Sequence, residues 1–166
     1  MKQVLIKKGK AIVDEIPAPM VRKENVLVKV VYSCISAGTE MMGIKSSGQT
    51  MIQSALRQPQ NIKKGLNMIK QKGILKTKNI LKSTFESSSP TGYSTSGTVV
   101  EVGAQVKDIK IGDKVACAGA GYANHAEYIE VPKNLVVKIP KDLSFKEAST
   151  VTLGSIAMQG VRRAEV

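Results

Sequence analysis

The stretch Val99–Val115, VVEVGAQVKDIKIGDKV, carries the strongest indication of the fold. Its first residues belong to the run GTVVEVG, and a run this rich in β-branched residues predicts a β-strand. Ile111-Gly112-Asp113 predicts a turn, because glycine permits the backbone angles that tight turns need. The residues that follow, KVAC, predict another strand, so the stretch indicates a strand, a turn and a second strand.

Short strands are predicted on both sides of this stretch. Upstream, QVLIK and AIVDEI flank a Lys-Lys-Gly-Lys turn and indicate a hairpin, and VLVKVVY indicates a strand buried on both sides for much of its length. Downstream, NHAEYIEVP and LVVKIP indicate two more strands. Glycine and proline separate these runs at close spacing, which predicts a mainly β fold arranged as a partly open barrel.

A basic insert interrupts the β pattern at residues 46–89. Ile62, Leu66 and Ile69 fall at helical spacing, so the segment predicts two or three short amphipathic helices, separated near Gly73. The span 41–85 contains no Asp or Glu and nine basic residues: Lys45, Arg57, Lys63, Lys64, Lys70, Lys72, Lys76, Lys78 and Lys82. A charge run on a helix is usually a solvated face, so a helical lid with its lysines outward is the plainer interpretation.

Two helices are predicted near the C-terminus. Ser144 and Glu147 fit a capping box, so one helix should begin there. The stretch SIAMQGVRRAEV indicates a second helix over residues 155–166. We therefore expect one domain over 1–150, containing the basic insert, and a helical connection over 151–166 that leads toward a further domain.

Length and composition exclude several classes of protein. The 166 residues, 42% of them hydrophobic, suit one ordinary domain with a real core. No apolar run is long enough for a membrane span or a signal peptide, which favours a cytoplasmic location. Cys34 and Cys117 lie far apart and His125 is the only histidine, so no metal site is expected from Cys and His.

The order of these segments resembles the N-terminal GroES-like half of medium-chain dehydrogenases/reductases, the alcohol dehydrogenase superfamily. The resemblance covers nearly the whole chain and is carried by VLVKV, GTVVEVGAQVKDIKIGDKV, HAEYIEVP and IPKDLSFKEAST. It implies the substrate-side domain of an NAD- or NADP-dependent oxidoreductase, in which a separate Rossmann domain holds most of the cofactor. The glycine fingerprint GxGxxG of that domain is absent, so the Rossmann domain is predicted to lie outside this chain, which alone is expected to be inactive.

A narrower resemblance is carried by ISAGTE, the basic insert, GYSTSG and ACAGAGYANHAEY. These segments are similar to zinc-less bi-domain oxidoreductases, a subgroup that is like bacteriochlorophyllide dehydrogenase in these loops. The likeness implies cell-surface polysaccharide or sugar-nucleotide metabolism and a small-molecule substrate such as an anionic sugar derivative. The wider superfamily resemblance implies a homo-oligomeric full-length protein. Neither nucleic-acid binding nor an integral membrane segment is expected.

The loops depart from the zinc enzymes of this superfamily at the zinc ligands. Ala37 occupies the place of a Cys ligand, and Gly92 is followed by Tyr93 and Ser94 where a His-Glu pair is typical. A methyl group cannot bind zinc, and neutral Tyr and Ser are poor ligands. We therefore predict a zinc-independent enzyme.

The resemblance also implies which residues form the site. The predicted catalytic residues are Tyr93, His125 and Thr39, and the predicted cofactor contacts are Ser36, Ala37, Gly38 and Thr152. A phenol or an imidazole in a cleft can transfer a proton to or from the substrate.

Each predicted catalytic residue also has a structural alternative. Thr39 is an N-cap candidate for a helix beginning EMMGIKS, and Glu40 is better explained as a first-turn carboxylate than as a base. Tyr93 suits a cleft-lining aromatic, and a lone histidine such as His125 is more often a structural, hydrogen-bonded one.

A different class of function stays open beside the oxidoreductase. A GroES-like module without chemistry would bind an anionic partner or a membrane surface through its basic insert. The two classes differ in salt dependence, since polyanion binding weakens as salt is added.

Overall fold

The computed structural model describes residues 1–48 and 88–165, together with isolated positions at 67, 70, 71, 73 and 76. The chain divides into two compact units. The first comprises Met1–Val4, Val13–Ser36 and Pro90–Val166, and the second comprises Leu5–Ile12 and Ala37–Ser89. Ser33, Gly92, Tyr93, His125 and Thr152, which are described below, all lie in the first unit.

Over residues 1–48 and 88–165, eight strands confirm the mainly β prediction. In chain order they are β1 Lys2–Lys7, β2 Lys10–Glu15, β3 Asn25–Ser33, β4 Ser89–Pro90, β5 Ser94–Val102, β6 Lys114–Ala118, β7 Tyr128–Pro132 and β8 Val136–Lys138. A small sheet has the order β2-β1-β4, and a larger curled sheet has the order β7-β3-β5-β6-β8. Every neighbouring pair in the larger sheet is antiparallel, so these strands do not form the parallel sheet of a Rossmann domain.

The core is built from valines on the central strands. Val26, Val28, Val99, Val115 and Val131 are all at most 1% exposed and lie in one apolar cluster. Their β-branched side chains pack well on a pleated surface, which is why the apolar runs of the sequence form these strands.

Strand β3 is buried on both sides over only part of its length. Val26 and Val28 are buried as predicted, and Asn25 before them is buried too, but Val31 and Tyr32 are about half exposed, at 49% and 48%. The reason is pairing, because β7 pairs with β3 only from Asn25 to Lys29. Beyond Lys29 the strand keeps β5 as its sheet neighbour, and on its other side the Val30 N–H donates to the Glu127 carbonyl just before β7.

Three α-helices are described. They are α1 Ala37–Ser47, α2 Phe145–Ala148 and α3 Val151–Ala164, and a short 3-10 helix covers Lys133–Leu135. The predicted capping box is confirmed, since the Ser144 hydroxyl accepts a bond from the Glu147 backbone and the Glu147 carboxylate returns one to the Ser144 backbone. The second predicted helix is also present, but it begins at Val151 and not at Ser155.

The helices predicted for the basic insert fall largely outside the described residues. The isolated positions at 67, 70, 71 and 76 are helical, and Gly73 has a positive φ of 79°. Within the described part of the chain, no helix has both the length and the hydropathy that crossing a membrane requires.

Candidate functional site

His125 is the most firmly held of the predicted catalytic residues. It lies in the loop between β6 and β7 and is 8% exposed. Its backbone N–H donates to the Thr91 carbonyl at 2.9 Å, and its carbonyl accepts from the Val4 N–H at 2.8 Å. Its ring nitrogen Nδ1 lies 2.9 Å from the hydroxyl of Ser33 at the end of β3. Three separate segments of the first unit therefore position this imidazole.

Gly92 provides the space for the imidazole. Its φ is +100°, and a Cβ placed there would lie 2.7 Å from the His125 backbone nitrogen and 3.0 Å from its ring carbon Cγ. Real Cβ atoms do not approach that closely, so only glycine permits this contact. The turn that precedes Tyr93 therefore touches the only histidine of the chain directly.

A shallow cavity of about 320 Å³ opens beside His125. Val4, Val13, Val30 and Val31 give it an apolar side, and its remaining lining residues are Lys2, Gln3, Ser33, His125, Ala126 and Glu127. The two charged residues are the exposed Lys2 and Glu127, and the Glu127 carboxylate accepts the Lys2 backbone N–H at 2.8 Å.

Thr152 contacts Tyr93 at its backbone carbonyl. The carbonyl of Tyr93 accepts from the Thr152 hydroxyl and from the Gly119 N–H, each at 2.9 Å. The Thr152 N–H donates to the Ser94 hydroxyl at 3.2 Å, and that hydroxyl donates to the Ser149 carbonyl at 2.6 Å. Thr152 and Ser94 thus hold the start of α3 against β5, a structural use that the sequence did not indicate.

The loop 36–40 contains the remaining predicted site residues. Helix α1 begins at Ala37, so Thr39 lies inside the first turn and the N-cap alternative for it is wrong. The helix therefore starts earlier than expected, since Ala37 and Gly38 are already part of it. Glu40 lies in the first turn, where the helix dipole favours a carboxylate. Ser36 ends a segment of the first unit, whereas the helix belongs to the second.

The two cysteines differ in burial, and both remain free thiols. Cys117 is fully buried in β6, and burial raises the pKa of its thiol to about 12, with the Thr95 hydroxyl opposing part of that rise. Cys34 is partly buried. Over residues 1–48 and 88–165 no cluster of three or more His, Cys, Asp or Glu side chains is arranged to hold a metal ion.

A second polar cluster, the Glu130 cluster, comprises Arg22, Asn25 and Glu130. The Arg22 guanidinium donates to both carboxylate oxygens of Glu130, at distances between 2.6 and 3.1 Å, and the Asn25 amide donates at 2.6 Å. The bonds from Arg22 lower the pKa of Glu130 to about 2, against the opposing effect of burial. Sequence reasoning missed this cluster, whose only signal is a carboxylate inside the apolar strand YIEVP.

Sequence reasoning also missed Ser33 and the reason for Gly92. A glycine just before Tyr93 was the available signal, but nothing in the sequence tells which side chain fills the space above it. That neighbour, His125, is 33 positions away along the chain and is brought in by the pairing of segments.

The model of the alcohol dehydrogenase GroES-like domain matches residues 63–141. The match covers just under half of this chain, whose fold is GroES-like. The antiparallel strand order of the larger sheet agrees with that fold.

Two relatives illustrate the similarity in sequence. The chain is 40% identical over 82 residues to 2-methylene-furan-3-one reductase of Solanum lycopersicum, covering 44% of this chain and 21% of that protein. It is 36% identical over 83 residues to a chloroplastic NADPH-dependent alkenal/one oxidoreductase of Arabidopsis thaliana, covering 45% of this chain and 22% of that one. The GroES-like chain thus spans about a fifth of the length of these relatives.

The quinone oxidoreductase of Coxiella burnetii illustrates the similarity in structure. It superposes with a TM-score of 0.70 at 22% identity, over 100% of this chain and 45% of that one. At this identity the likeness shows the fold. The GroES-like chain therefore corresponds to somewhat less than half of that enzyme.

Proposed function

We propose that this GroES-like chain is the substrate-side domain of a zinc-independent, NAD- or NADP-dependent oxidoreductase. The observation that carries the proposal is the contact between His125 and Gly92. In the zinc enzymes that the sequence resembles, the turn after this glycine supplies a His-Glu pair. Here Tyr93 and Ser94 follow the glycine, and the imidazole of His125 reaches this glycine from a different loop.

The donor set at the resembling positions supports zinc independence. Ala37 has no ligand atom, and the Ser94 hydroxyl is fully buried and already bonded to the Ser149 carbonyl and the Thr152 N–H. A zinc ion at this turn would have to break that network and use an alcohol oxygen, which is a poor zinc ligand. The residues present therefore do not fit a catalytic zinc site.

The residues predicted to contact the cofactor differ in how much room they leave for a nicotinamide. Ala37 and Gly38 are exposed, and no heavy atom lies within 4 Å of a Cβ placed on Gly38, so the loop has room for a ligand. Ser36 adjoins that loop. The Thr152 hydroxyl is occupied by the Tyr93 carbonyl, so its contact with a cofactor would run through other atoms.

The proposed chemistry needs a proton donor from this chain. A bound nicotinamide supplies a hydride from C4 to the substrate carbonyl or, in the reverse direction, accepts one from the alcohol carbon. Reducing a carbonyl also places charge on its oxygen, which must gain a proton as the hydride arrives. His125 is the favoured donor because its ring is held on two sides, and the Tyr93 phenol is the second candidate.

The apolar surface of α3 supports the presence of a further domain in the working protein. Ile156, Met158 and Val161 are between 51% and 63% exposed, and none of the residues of this helix is buried. A helix with so much uncovered apolar surface is typical of an element that packs against another domain. We propose that the cofactor-binding Rossmann domain covers it.

The substrate class is the least constrained part of the proposal. The likeness to the zinc-less bi-domain subgroup favours an anionic sugar derivative. A homo-oligomeric full-length protein follows from the wider superfamily resemblance, and a cytoplasmic location is proposed from the short apolar runs of the sequence. The reductases matched in sequence act, by their names, on a furanone and on alkenals or alkenones, which adds small conjugated carbonyl compounds as candidates.

The native gene product should be isolated from its source cell and its intact mass measured, so that any further domain is included. Oxidation of NADH and NADPH is then followed with a panel of aldehydes, enones, quinones and oxidised sugar nucleotides. We expect His125→Gln to lower kcat about 100-fold or more, while Tyr93→Phe, which removes only the phenol oxygen, tests the second donor. A native protein that neither binds nor oxidises either nicotinamide would refute the oxidoreductase proposal.

The charge of the chain supports a second candidate, a non-catalytic module. A net charge of +12, with nine basic and no acidic residues between positions 41 and 85, suits an anionic polymer or membrane surface. Binding of heparin or anionic vesicles that collapses between low and physiological salt would favour the module. Salt-insensitive or undetectable binding would favour a solvated lid.

A further inference from the structure

The Ser33 side chain contacts the ring of His125 by a hydrogen bond of normal length. Its hydroxyl lies 2.9 Å from Nδ1. Ser33 is placed there by the sheet, because β3 pairs with β5 as far as Ser33 opposite Thr95 and the next residue, Cys34, donates to the Ser94 carbonyl. The position of the hydroxyl is therefore set by backbone pairing and does not depend on the His125 loop.

A second constraint on the ring of His125 comes from Gly92. A Cβ at this position would stand 3.0 Å from the ring carbon Cγ, so the imidazole lies directly on the glycine. The backbone of His125 is fixed by its bonds with Thr91 and Val4. A ring held by its backbone, by the surface of Gly92 and by the hydroxyl of Ser33 has little freedom to rotate.

We propose that Ser33 is a positioning residue, whose hydroxyl donates to Nδ1 of His125 and keeps the neutral ring in the tautomer protonated at Nε2. The inference rests on the proposed function for its role in the reaction. The direction of the bond follows from the serine: within the described residues Nδ1 is the acceptor that Ser33 has, and a partly buried hydroxyl is more stable when its proton is used.

A hydroxyl partner suits a residue that must gain and lose a proton. When the ring is neutral the hydroxyl donates to Nδ1, and when the ring is protonated the same oxygen accepts from Nδ1–H after rotating. A carboxylate or an ammonium at the same place would favour one charge state of the imidazole. A hydroxyl such as that of Ser33 can therefore orient the ring in either protonation state.

The test uses the native protein, with its histidines labelled with ¹⁵N and any affinity tag removed. The ring nitrogen signals of His125 are those that His125→Gln lacks. At alkaline pH we expect Nδ1 to show the shift of an unprotonated nitrogen and Nε2 that of a protonated one. Nδ1 protonated in the neutral ring would overturn the proposal.

Variants separate positioning from mere stability. Ser33→Ala should move both ring signals toward the values of a tautomer mixture, and Ser33→Thr, which keeps the hydroxyl, should restore them. Ring signals unchanged in Ser33→Ala would overturn the proposal. In the active native protein, Ser33→Ala should lower kcat roughly fivefold at unchanged KM, the rate equivalent of one hydrogen bond, with rescue by Ser33→Thr.

The two proposals fail separately. If the ring signals follow the expected pattern but no nicotinamide is oxidised, the oxidoreductase proposal fails and the structural assignment of Ser33 stands. If the enzyme is active and the ring signals do not respond to Ser33→Ala, the positioning role fails alone.

Discussion

Two polar clusters lie around strand β7, and they differ in the kind of partner that holds an ionisable group. In the first, the His125 cluster of Ser33, Gly92 and His125, a neutral hydroxyl meets the imidazole beside an open cavity. In the Glu130 cluster, a cationic guanidinium and an amide bind both carboxylate oxygens.

The consequence of this difference is electrostatic. Arg22 lowers the pKa of Glu130 to about 2, so that carboxylate stays charged at any pH at which the protein works. A group that keeps one charge state is suited to a structural role. A group whose partner both donates and accepts hydrogen bonds can change charge, as a proton donor must. We therefore interpret the Glu130 cluster as one that stabilises the fold, and the His125 cluster as the candidate site.

The largest effect is expected from a substitution that disrupts the sheet on which both clusters depend. A Cβ at Gly97 would lie 2.2 Å from the Lys29 carbonyl oxygen in the adjacent strand, so Gly97→Ala must separate β3 from β5. We expect a loss of at least about 4 kcal/mol in the free energy of unfolding, measured by urea denaturation.

Gly160→Ala is the matched control for this change, since nothing lies within 4 Å of a Cβ on that helical glycine. It should be neutral or stabilising by up to about 1 kcal/mol. Equal effects of the two substitutions would contradict the described pairing of β3 and β5.

Gly92→Ala should break the His125 cluster alone. The new Cβ would meet the backbone and ring of His125 at 2.7 and 3.0 Å and would also be strained at a φ of +100°. We expect a loss of about 2–4 kcal/mol in the free energy of unfolding, together with displaced ring nitrogen signals of His125.

Gly112→Ala separates the two causes, because Gly112 has a φ of +90° and nothing within 4 Å of its Cβ position. It should cost only the backbone strain, about 1–2 kcal/mol. If Gly92→Ala costs no more than Gly112→Ala and leaves the ring signals in place, the contact with His125 is not as described.

Arg22→Met should weaken the Glu130 cluster while keeping the length of the side chain. It leaves the Glu130 carboxylate, 8% exposed, without its cationic partner. We expect a loss in the free energy of unfolding at neutral pH that is smaller than a fully buried pair would show, because Arg22 itself is 71% exposed.

Arg22→Met combined with Glu130→Gln completes a double-mutant cycle. A coupling free energy near zero between the two positions would show that the pair contributes nothing to stability. It would also remove the contrast between the two clusters.

The pH dependence of stability should report the Glu130 cluster directly. The pKa of Glu130 is lowered on folding from an ordinary 4.5 to about 2, so the carboxylate stabilises the fold above pH 4.5. That contribution is lost progressively as the pH falls from about 4.5 toward 2. Urea denaturation across this range should show a smaller decline for Arg22→Met than for the unaltered protein, and parallel declines would contradict the assignment.

Ser33→Ala should have the smallest effect on stability. It removes one neutral hydrogen bond from a partly buried hydroxyl, which corresponds to about 1 kcal/mol or less in the free energy of unfolding. A loss as large as that of Gly92→Ala would indicate that the hydroxyl supports the fold, and the contrast between a structural and a functional cluster would then weaken.

Most strands were predictable from the sequence because their signal is local. The runs around Val26, Val99 and Val115 are rich in β-branched residues, and glycine or proline marks their ends. The capping box at Ser144 was predictable for the same reason, since its two residues are three positions apart. The exposed second half of β3 was not, because it depends on where β7 stops pairing.

The candidate site was predictable only as a set of separate residues. The sequence, through its resemblance to known dehydrogenases, singled out Tyr93 and His125, and it determined that Gly92 is followed by no zinc ligand. It did not indicate that Thr152 is tied to the Tyr93 carbonyl or that Ser33 meets His125.

By itself, then, the sequence determined the strands, the capped helix, the single histidine and the departures from a zinc site. Only the tertiary structure decided which side chains meet. Ser33 and His125 are 92 positions apart and are brought to 2.9 Å by the antiparallel pairing of β3 with β5 and by the bonds of the His125 loop to Thr91 and Val4. Strand propensity is a property of neighbouring residues, whereas such a contact depends on register between distant segments, which no local pattern encodes.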